Sequence, residues 1–180
     1  MRYINIKDDR KVIDRIIPQM KRLNGAQLIV GVIGKEGEIN DEFNLVDLAT
    51  VHEFGVKIAV TEKMRNYLAA IGFPLKSSTT EISIPERSFI RKTADSKKNE
   101  IVHEAKLVLS QVATGRYDAK LAMDKLGNKV VSMIQKTIDE VEEPPLTQMT
   151  ISLRSGSNVG ASPLQDTGRL WQSIDYEVRW

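Results

Sequence analysis

The sequence predicts an α+β fold in which a small, mostly antiparallel sheet is covered by helices, with extended arms and loops. Two observations predict strands: residues 27–33 (QLIVGVI) form a short β-branched apolar run, and apolar and polar residues alternate strictly over 174–180. A third predicts helices in the middle of the chain, where apolar residues recur every three or four positions over 96–113 and 118–141. Strands near both ends with helices between them are typical of the α+β class.

The two long periodic stretches predict helices that pack against each other. Only Thr114, Gly115 and Arg116 separate the two apolar patterns, and so short a connection favours an antiparallel pair. Pro144 and Pro145 end the second pattern sharply.

Other elements are shorter. An amphipathic helix is predicted over 8–23, although Pro18 predicts a kink or a break inside it. The segment 77–85 has apolar residues at alternate positions and predicts a strand or extended arm. Three further helices are predicted by residues that can cap a first turn: 45–54, capped by Asn44 with Asp47 and ended by Gly55; 62–71, capped by Thr61; and a helix through Leu153, capped by Thr147.

Length and composition indicate one soluble domain spanning residues 1–180. Lys and Arg number 26 against 24 Asp and Glu, and a net charge of +2 argues against a dedicated nucleic-acid binder. The absence of cysteine excludes a disulfide scaffold and a cysteine nucleophile. The start of the chain, MRYINIKDDR, lacks the apolar core of a signal peptide, and no apolar run approaches the roughly 20 residues of a membrane span. We therefore expect no membrane partner.

Catalytic and metal-binding patterns are weak. The pairs His52-Glu53 and His103-Glu104 are not followed by a second histidine at the spacing of a zinc protease, so no metal or cofactor is predicted. Asp166-Thr167-Gly168 matches the triplet of aspartic proteases, whose chemistry needs two carboxylates in a buried, apolar setting. The other interpretation is that Asp166 or Thr167 caps a short helix. An aspartic-type hydrolase and a small DNA-binding module stay open as alternatives.

Aromatic and apolar residues concentrate in two segments that a compact core does not require. Phe89 and Ile90 directly follow Pro85-Glu86-Arg87, and both tryptophans, Trp171 and Trp180, lie in the last residues of the chain. Trp, Tyr, Phe and Arg are the residues that dominate protein interfaces. These segments therefore either close the core of the domain or contact another subunit, and a subunit contact is an open interpretation for Trp180.

Four segments in a fixed order resemble the bacteriophage virion-morphogenesis family, whose members are tail-completion or head–tail joining proteins of the neck. They are LIVGVIG (28–34), LATVHEFG (48–55), IPERSFIR (84–91), and PPLTQMTISLR (144–154) continued by PLQDTGRLWQSIDYEV (163–178). Residues 60–83 lengthen the gap between the second and third segments and look like an insert. Residues 154–163 form a Gly- and Ser-rich stretch that predicts a flexible loop.

The resemblance implies a structural protein, not an enzyme, that acts by assembly. It implies a ring, a hexamer by resemblance, at the junction of the head and the tail. Partners would be copies of the chain and neighbouring neck, portal or tail-tube proteins, without specific nucleic-acid recognition and without a cofactor. Its location would be the virion, after synthesis in the cytoplasm of the host bacterium.

The same resemblance selects two groups of structural or interface residues. In the second group we expect Asp166 to cap a helix, Gly168 to provide backbone freedom, and Arg169 to pair with an acid on the same or a neighbouring chain. The first group is Glu53, Phe54, Gly55, Arg87 and Phe89. The second is Leu164, Asp166, Gly168, Arg169, Leu170 and Ile174, to which the aromatic composition of this part of the chain adds Trp171 and Trp180.

Overall fold

The computed structural model describes residues 10–33, 38–40, 43–154 and 162–180. Within these ranges the predicted α+β class and the antiparallel pairing of the strands are confirmed. The helices are α1 (Arg10–Leu23), α2 (Leu45–Phe54), α3 (Glu62–Ala70), α4 (Ile90–Ser96), α5 (Lys98–Ala113), α6 (Ala119–Asp139), α7 (Gln148–Leu153) and α8 (Arg169–Gln172). The strands are β1 (Gln27–Val32), β2 (Glu38–Asn40), β3 (Phe43–Asn44), β4 (Val56–Ala59), β5 (Glu81–Ile84) and β6 (Ile174–Arg179).

The described strands form three two-stranded antiparallel sheets. The first joins β1 to β6, with Gln27 opposite Arg179 and Val32 opposite Ile174. The second joins β2 to β3, and the third joins β4 to β5. The segment identified as an insert, 60–83, contains α3 and most of β5, so it forms the connection between the two strands of the third sheet.

Helix α6 lies against the β1–β6 sheet at unusually short range. Gly127 of α6 faces the ring of Tyr176 on β6, and a Cβ atom added at Gly127 would lie 2.4 Å from the ring. The hydroxyl of Tyr176 also donates a hydrogen bond to the carboxylate of Asp124, one turn earlier on α6, at 3.2 Å. A glycine at this position therefore sets the distance between helix and sheet.

One continuous core lies between α6, α4, α2 and the segments near the C-terminal end. Beside it, the buried hydroxyls of Thr93 on α4 and Thr137 on α6 are joined by a hydrogen bond of 2.7 Å, so the polar groups there are satisfied. The core residues are Ala49, Phe89, Val130, Ile134, Ile138, Val141, Leu164, Leu170 and Ile174.

The predicted helix caps at Asn44, Thr61 and Thr147 are confirmed. The side chain of Asn44 accepts from the backbone N–H of Asp47 at 3.0 Å, and Asp47 returns the interaction to the N–H of Asn44 at 3.1 Å. Thr61 and Thr147 accept from the N–H groups three residues further on. Each of these caps satisfies N–H groups that the first turn of a helix leaves without a partner.

The structure differs from the sequence predictions at α1, α4 and β4. Helix α1 continues through Pro18 without a break, although proline removes one backbone hydrogen bond of the helix. The helix predicted over 96–113 is confirmed as α5, whereas α4, which precedes it, and β4 had no clear signal in the sequence. The predicted loop 154–163 lies mostly outside the described residues.

Candidate functional site

The carboxylate of Glu53, at the end of α2, caps α4 from another part of the chain. It accepts hydrogen bonds from the backbone N–H groups of Phe89 at 2.9 Å, Ile90 at 3.0 Å and Arg91 at 2.8 Å. The hydroxyl of Ser88 donates a fourth, at 2.8 Å. Since Phe89 itself provides no side-chain cap, Glu53 supplies the acceptor that the first turn of α4 needs.

Electrostatics favour the ionised form of Glu53. Burial of its side chain raises the pKa. The hydrogen bonds donated by Arg91, Ile90, Ser88 and Phe89 together lower it by more, so the pKa lies below its usual value. Nε of Arg91 lies 3.1 Å from the same carboxylate. The positive end of the α4 dipole acts in the same direction.

Arg87 joins the segment before α4 to the segment after α6. Its side chain is buried, and Nε and Nη2 donate to the carbonyl oxygen of Pro144 at 2.9 and 2.7 Å. Nη2 also reaches the carbonyl oxygen of Pro145 at 3.2 Å, while the backbone N–H of Arg87 donates to the carbonyl of His52 at 2.8 Å. One arginine therefore fixes three parts of the chain that are remote in sequence.

Phe54 and Gly55 complete the first group in different ways. The ring of Phe54 is 61% exposed, and the guanidinium of Arg91 lies over it, 4.6 Å from the centroid. Gly55 has φ +67°, and an added Cβ would lie 2.8 Å from the backbone nitrogen of Glu86. Only glycine allows this approach without a shift of the backbone. The structure thus brings all five residues of the first group, including Phe89 in the core, into one neighbourhood.

In the second group, Leu164, Leu170 and Ile174 are buried in the core, so their role within one chain is packing. Gly168 is the residue before α8 and has φ +75°, which fits the expected backbone freedom. The expected cap by Asp166 is wrong. Helix α8 begins at Arg169, three residues beyond Asp166, and the N–H of Arg169 donates at 3.5 Å to the hydroxyl of Thr167, the other residue expected as a cap.

The other members of the second group are exposed. Arg169 forms no ion pair with any residue in the described ranges, so the expected pairing with an acid of the same chain is not found there. Trp171 is 37% exposed, and its carbonyl accepts from the side chain of Gln135. Trp180 is 47% exposed and stacks against the guanidinium of Arg22, 4.0 Å from the ring centroid.

A groove of about 640 Å³ lies between the two groups and is lined mostly by apolar side chains. Its walls come from α2, β5, α7 and the segment that leads into α8. Arg154, at the end of α7, donates to the carbonyl oxygens of Pro163 at 2.9 Å and Gln165 at 3.2 Å and so holds one wall in place. Sequence reasoning did not find this groove, because its walls are remote from one another along the chain.

His52 lies in the wall of the groove beside two cations. Burial, followed by the positive charges of Arg87 and Arg154, lowers the pKa of His52 to about 4. The imidazole is therefore neutral at pH 7. Its Nδ1 atom is buried and has no hydrogen-bond partner among the described residues.

The described residues show no arrangement suited to metal binding. No group of three or more His, Asp or Glu in the described ranges could hold a metal ion. Asp166 is exposed, a setting unlike the buried, apolar environment in which a pair of catalytic carboxylates shares a proton. None of the helices in the described part of the chain is both long enough and apolar enough to span a bilayer.

Comparison of the chain with family models, with curated proteins and with solved structures finds no match in any of the three. The functional interpretation therefore depends on the geometry above and on the sequence resemblance.

Proposed function

We propose that the chain is a structural subunit of a phage neck, which assembles as a ring at the head–tail junction during virion morphogenesis. The observation that carries the proposal is the contact between the four segments that resemble the virion-morphogenesis family. Glu53 of the second segment caps the helix of the third, and Arg87 of the third binds Pro144 of the fourth. The first and last segments pair as β1 and β6.

These contacts join the four segments into one structural unit, which supports the resemblance. Glu53, Arg87 and Gly55 are the residue types that their positions require, because each makes a contact that a substitute would not reproduce.

The exposed aromatic residues support assembly. Phe54, Trp171 and Trp180 belong to the resembling segments or follow them directly, and each keeps more than a third of its surface exposed. Exposed Trp and Phe beside arginine are typical of interface hot spots. A ring of identical subunits needs two different patches on each subunit, and these residues lie on three elements, at the end of α2, in α8 and after β6.

The test is a measurement of mass by light scattering, with electron microscopy to detect rings. The chain is measured alone and then mixed with the portal and tail-tube proteins of the same phage. We expect either self-association or co-assembly, since some neck subunits remain monomeric until they meet the virion. A chain that stays monomeric and binds neither protein would contradict the proposal.

Variants test the interface directly. Trp171→Glu and Trp180→Glu are expected to reduce assembly at least tenfold, because each puts a charge into an apolar contact. Tyr67→Glu is the matched control, since Tyr67 is an exposed aromatic residue of α3 outside the four segments. Assembly of both tryptophan variants at the level of the Tyr67→Glu control would count against this interface.

A further inference from the structure

The groove between α2, β5, α7 and the segment before α8 has the size and lining of a binding site. Its volume of about 640 Å³ falls within the range of roughly 300–1,000 Å³ that is usual for ligand pockets. Leu48 of α2, Ile82 and Ile84 of β5, and Met149 and Leu153 of α7 supply apolar walls. Leu153 remains 47% exposed, so an occupant would cover surface that the fold leaves in water.

One wall of the groove is the strand β5, which has a strand partner on one side only. Within the described residues β5 pairs with β4 alone, from Val56 opposite Ile84 to Ala59 opposite Glu81. The second edge of β5 therefore retains main-chain groups that can form hydrogen bonds. An extended peptide can add to such an edge as a further strand, with its alternate side chains in neighbouring pockets.

The charged groups that line the groove are mainly positive. They are Arg87, Arg154 and Arg169, against a single carboxylate from Asp166. The described partners of the Arg87 guanidinium are the carbonyl oxygens of Pro144 and Pro145, which satisfy its N–H groups but leave its charge in place. Complementarity therefore favours an occupant that carries carboxylates.

We infer that this groove binds an extended, acidic and apolar peptide segment of a neighbouring protein in the assembly. The inference rests on the proposed function for the identity of the neighbour, whereas the peptide chemistry follows from the groove itself. Apolar walls and a free strand edge favour a peptide, and the arginines select the acidic one.

The experiment uses a yeast-displayed library of random peptides, which requires no knowledge of the natural partner. Wild-type protein selects binders, and the enriched peptides are then synthesised and titrated by fluorescence anisotropy. We expect enriched sequences that combine Asp or Glu with Leu, Ile, Val or Phe, and binding that weakens as salt is raised.

Two variants of the groove lining, each with a matched control, test whether the peptide binds in the groove. Leu153→Glu is expected to weaken binding about tenfold and Arg169→Glu about fivefold, since each adds negative charge to the groove and Leu153→Glu also removes apolar contact. Leu109→Glu and Lys106→Glu make the same changes at exposed positions of α5 outside the groove lining, and should leave binding unchanged.

Three outcomes would overturn the inference: no enrichment over the Leu153→Glu variant, enrichment of basic peptides, or equal binding by the groove variants and their controls. Loss of self-association in Leu153→Glu without any peptide binding would identify a second copy of the chain as the occupant and would equally reject it. The proposed function is judged separately, by the mass and ring measurements. If acidic peptides bind a chain that does not assemble, the inference about the groove stands and the proposed neck function is rejected.

Discussion

The carboxylate of Glu53 accepts two hydrogen bonds from Arg91, one from its backbone N–H at 2.8 Å and one from its Nε at 3.1 Å. Nη2 of Arg91 also donates to the backbone carbonyl of Glu53. One carboxylate thus satisfies the start of α4 and anchors a side chain that covers Phe54. Charge-assisted hydrogen bonds of this kind are stronger than neutral ones.

Glu53→Gln is expected to lower the free energy of unfolding by about 2–3 kcal/mol. Glutamine retains one acceptor but places an NH₂ group against the donors of Ser88, Phe89 and Arg91. Urea denaturation followed by circular dichroism measures the difference. Glu81→Gln is the control, because it removes an exposed ion pair with Lys57 and should cost less than about 1 kcal/mol. Equal losses in the two variants would show that the Glu53 cap is not a special contact.

His52 predicts a loss of stability in mild acid. Its pKa of about 4 in the folded protein lies below the value of about 6.5 expected in the unfolded chain. The unfolded state therefore binds more protons between these values, and the free energy of unfolding falls by about 2–3 kcal/mol as the pH drops from 7 to 4.5. Denaturation curves across this range measure the slope.

The matched substitutions His52→Gln and His103→Gln test whether His52 causes the dependence of the free energy of unfolding on pH. His52→Gln should flatten it, whereas His103→Gln, at an exposed position of α5, should leave it unchanged. A slope that survives in His52→Gln would place the acid sensitivity elsewhere. Glu53 adds a loss of the same sign at lower pH, since its pKa is also depressed in the folded state.

Gly127→Ala is expected to destabilise the protein by about 1–3 kcal/mol, although alanine normally stabilises a helix. The added Cβ would meet the ring of Tyr176 at 2.4 Å, so α6 or β6 must move. Gly25→Ala is the control, since no atom lies within 4 Å of the added group there. Thermal unfolding compares the two variants. In the background of Tyr176→Ala the cost of Gly127→Ala should largely disappear, and a persistent cost would contradict the proposed clash.

Substitution should have little effect on stability at Asp166 and should destabilise the protein at Gly168. Asp166→Asn is expected to change the free energy of unfolding by less than about 0.5 kcal/mol and to leave assembly intact, because the side chain is exposed and caps no helix. Gly168→Ala should cost about 1–2 kcal/mol, because alanine disfavours φ +75°. Denaturation and the assembly assay measure both. Loss of function in Asp166→Asn without loss of stability would revive the hydrolase alternative.

Sequence reasoning succeeded where the deciding interaction is local. The Asn44–Asp47 capping box and the caps at Thr61 and Thr147 each join residues two or three positions apart, so the residue types alone predict them. Asp166 misled because the left-handed conformation of Gly168, which sets the start of α8, leaves no periodic signal in the sequence.

Interactions between remote segments were beyond the residue pattern. The strict alternation over β6 predicted a half-buried strand, but nothing in it identified β1 as the partner. Similarly, the resemblance grouped Glu53 with Phe89, whereas the cap itself depends on how α2 and α4 meet. The groove forms only where four segments that are remote in sequence pack together, so the residue pattern could not predict it.

The pairing of β1 with β6 has a consequence for the order in which the ribosome delivers the chain. Until Ile174 and its neighbours have been synthesised, β1 has no strand partner, and α6 lacks Leu164 and Leu170 against its apolar face. Contacts of such long sequence separation form late and slowly. From the synthesis of β1 and α6 until β6 has emerged, the nascent chain therefore carries an open apolar surface, and we expect chaperones to hold it during that interval.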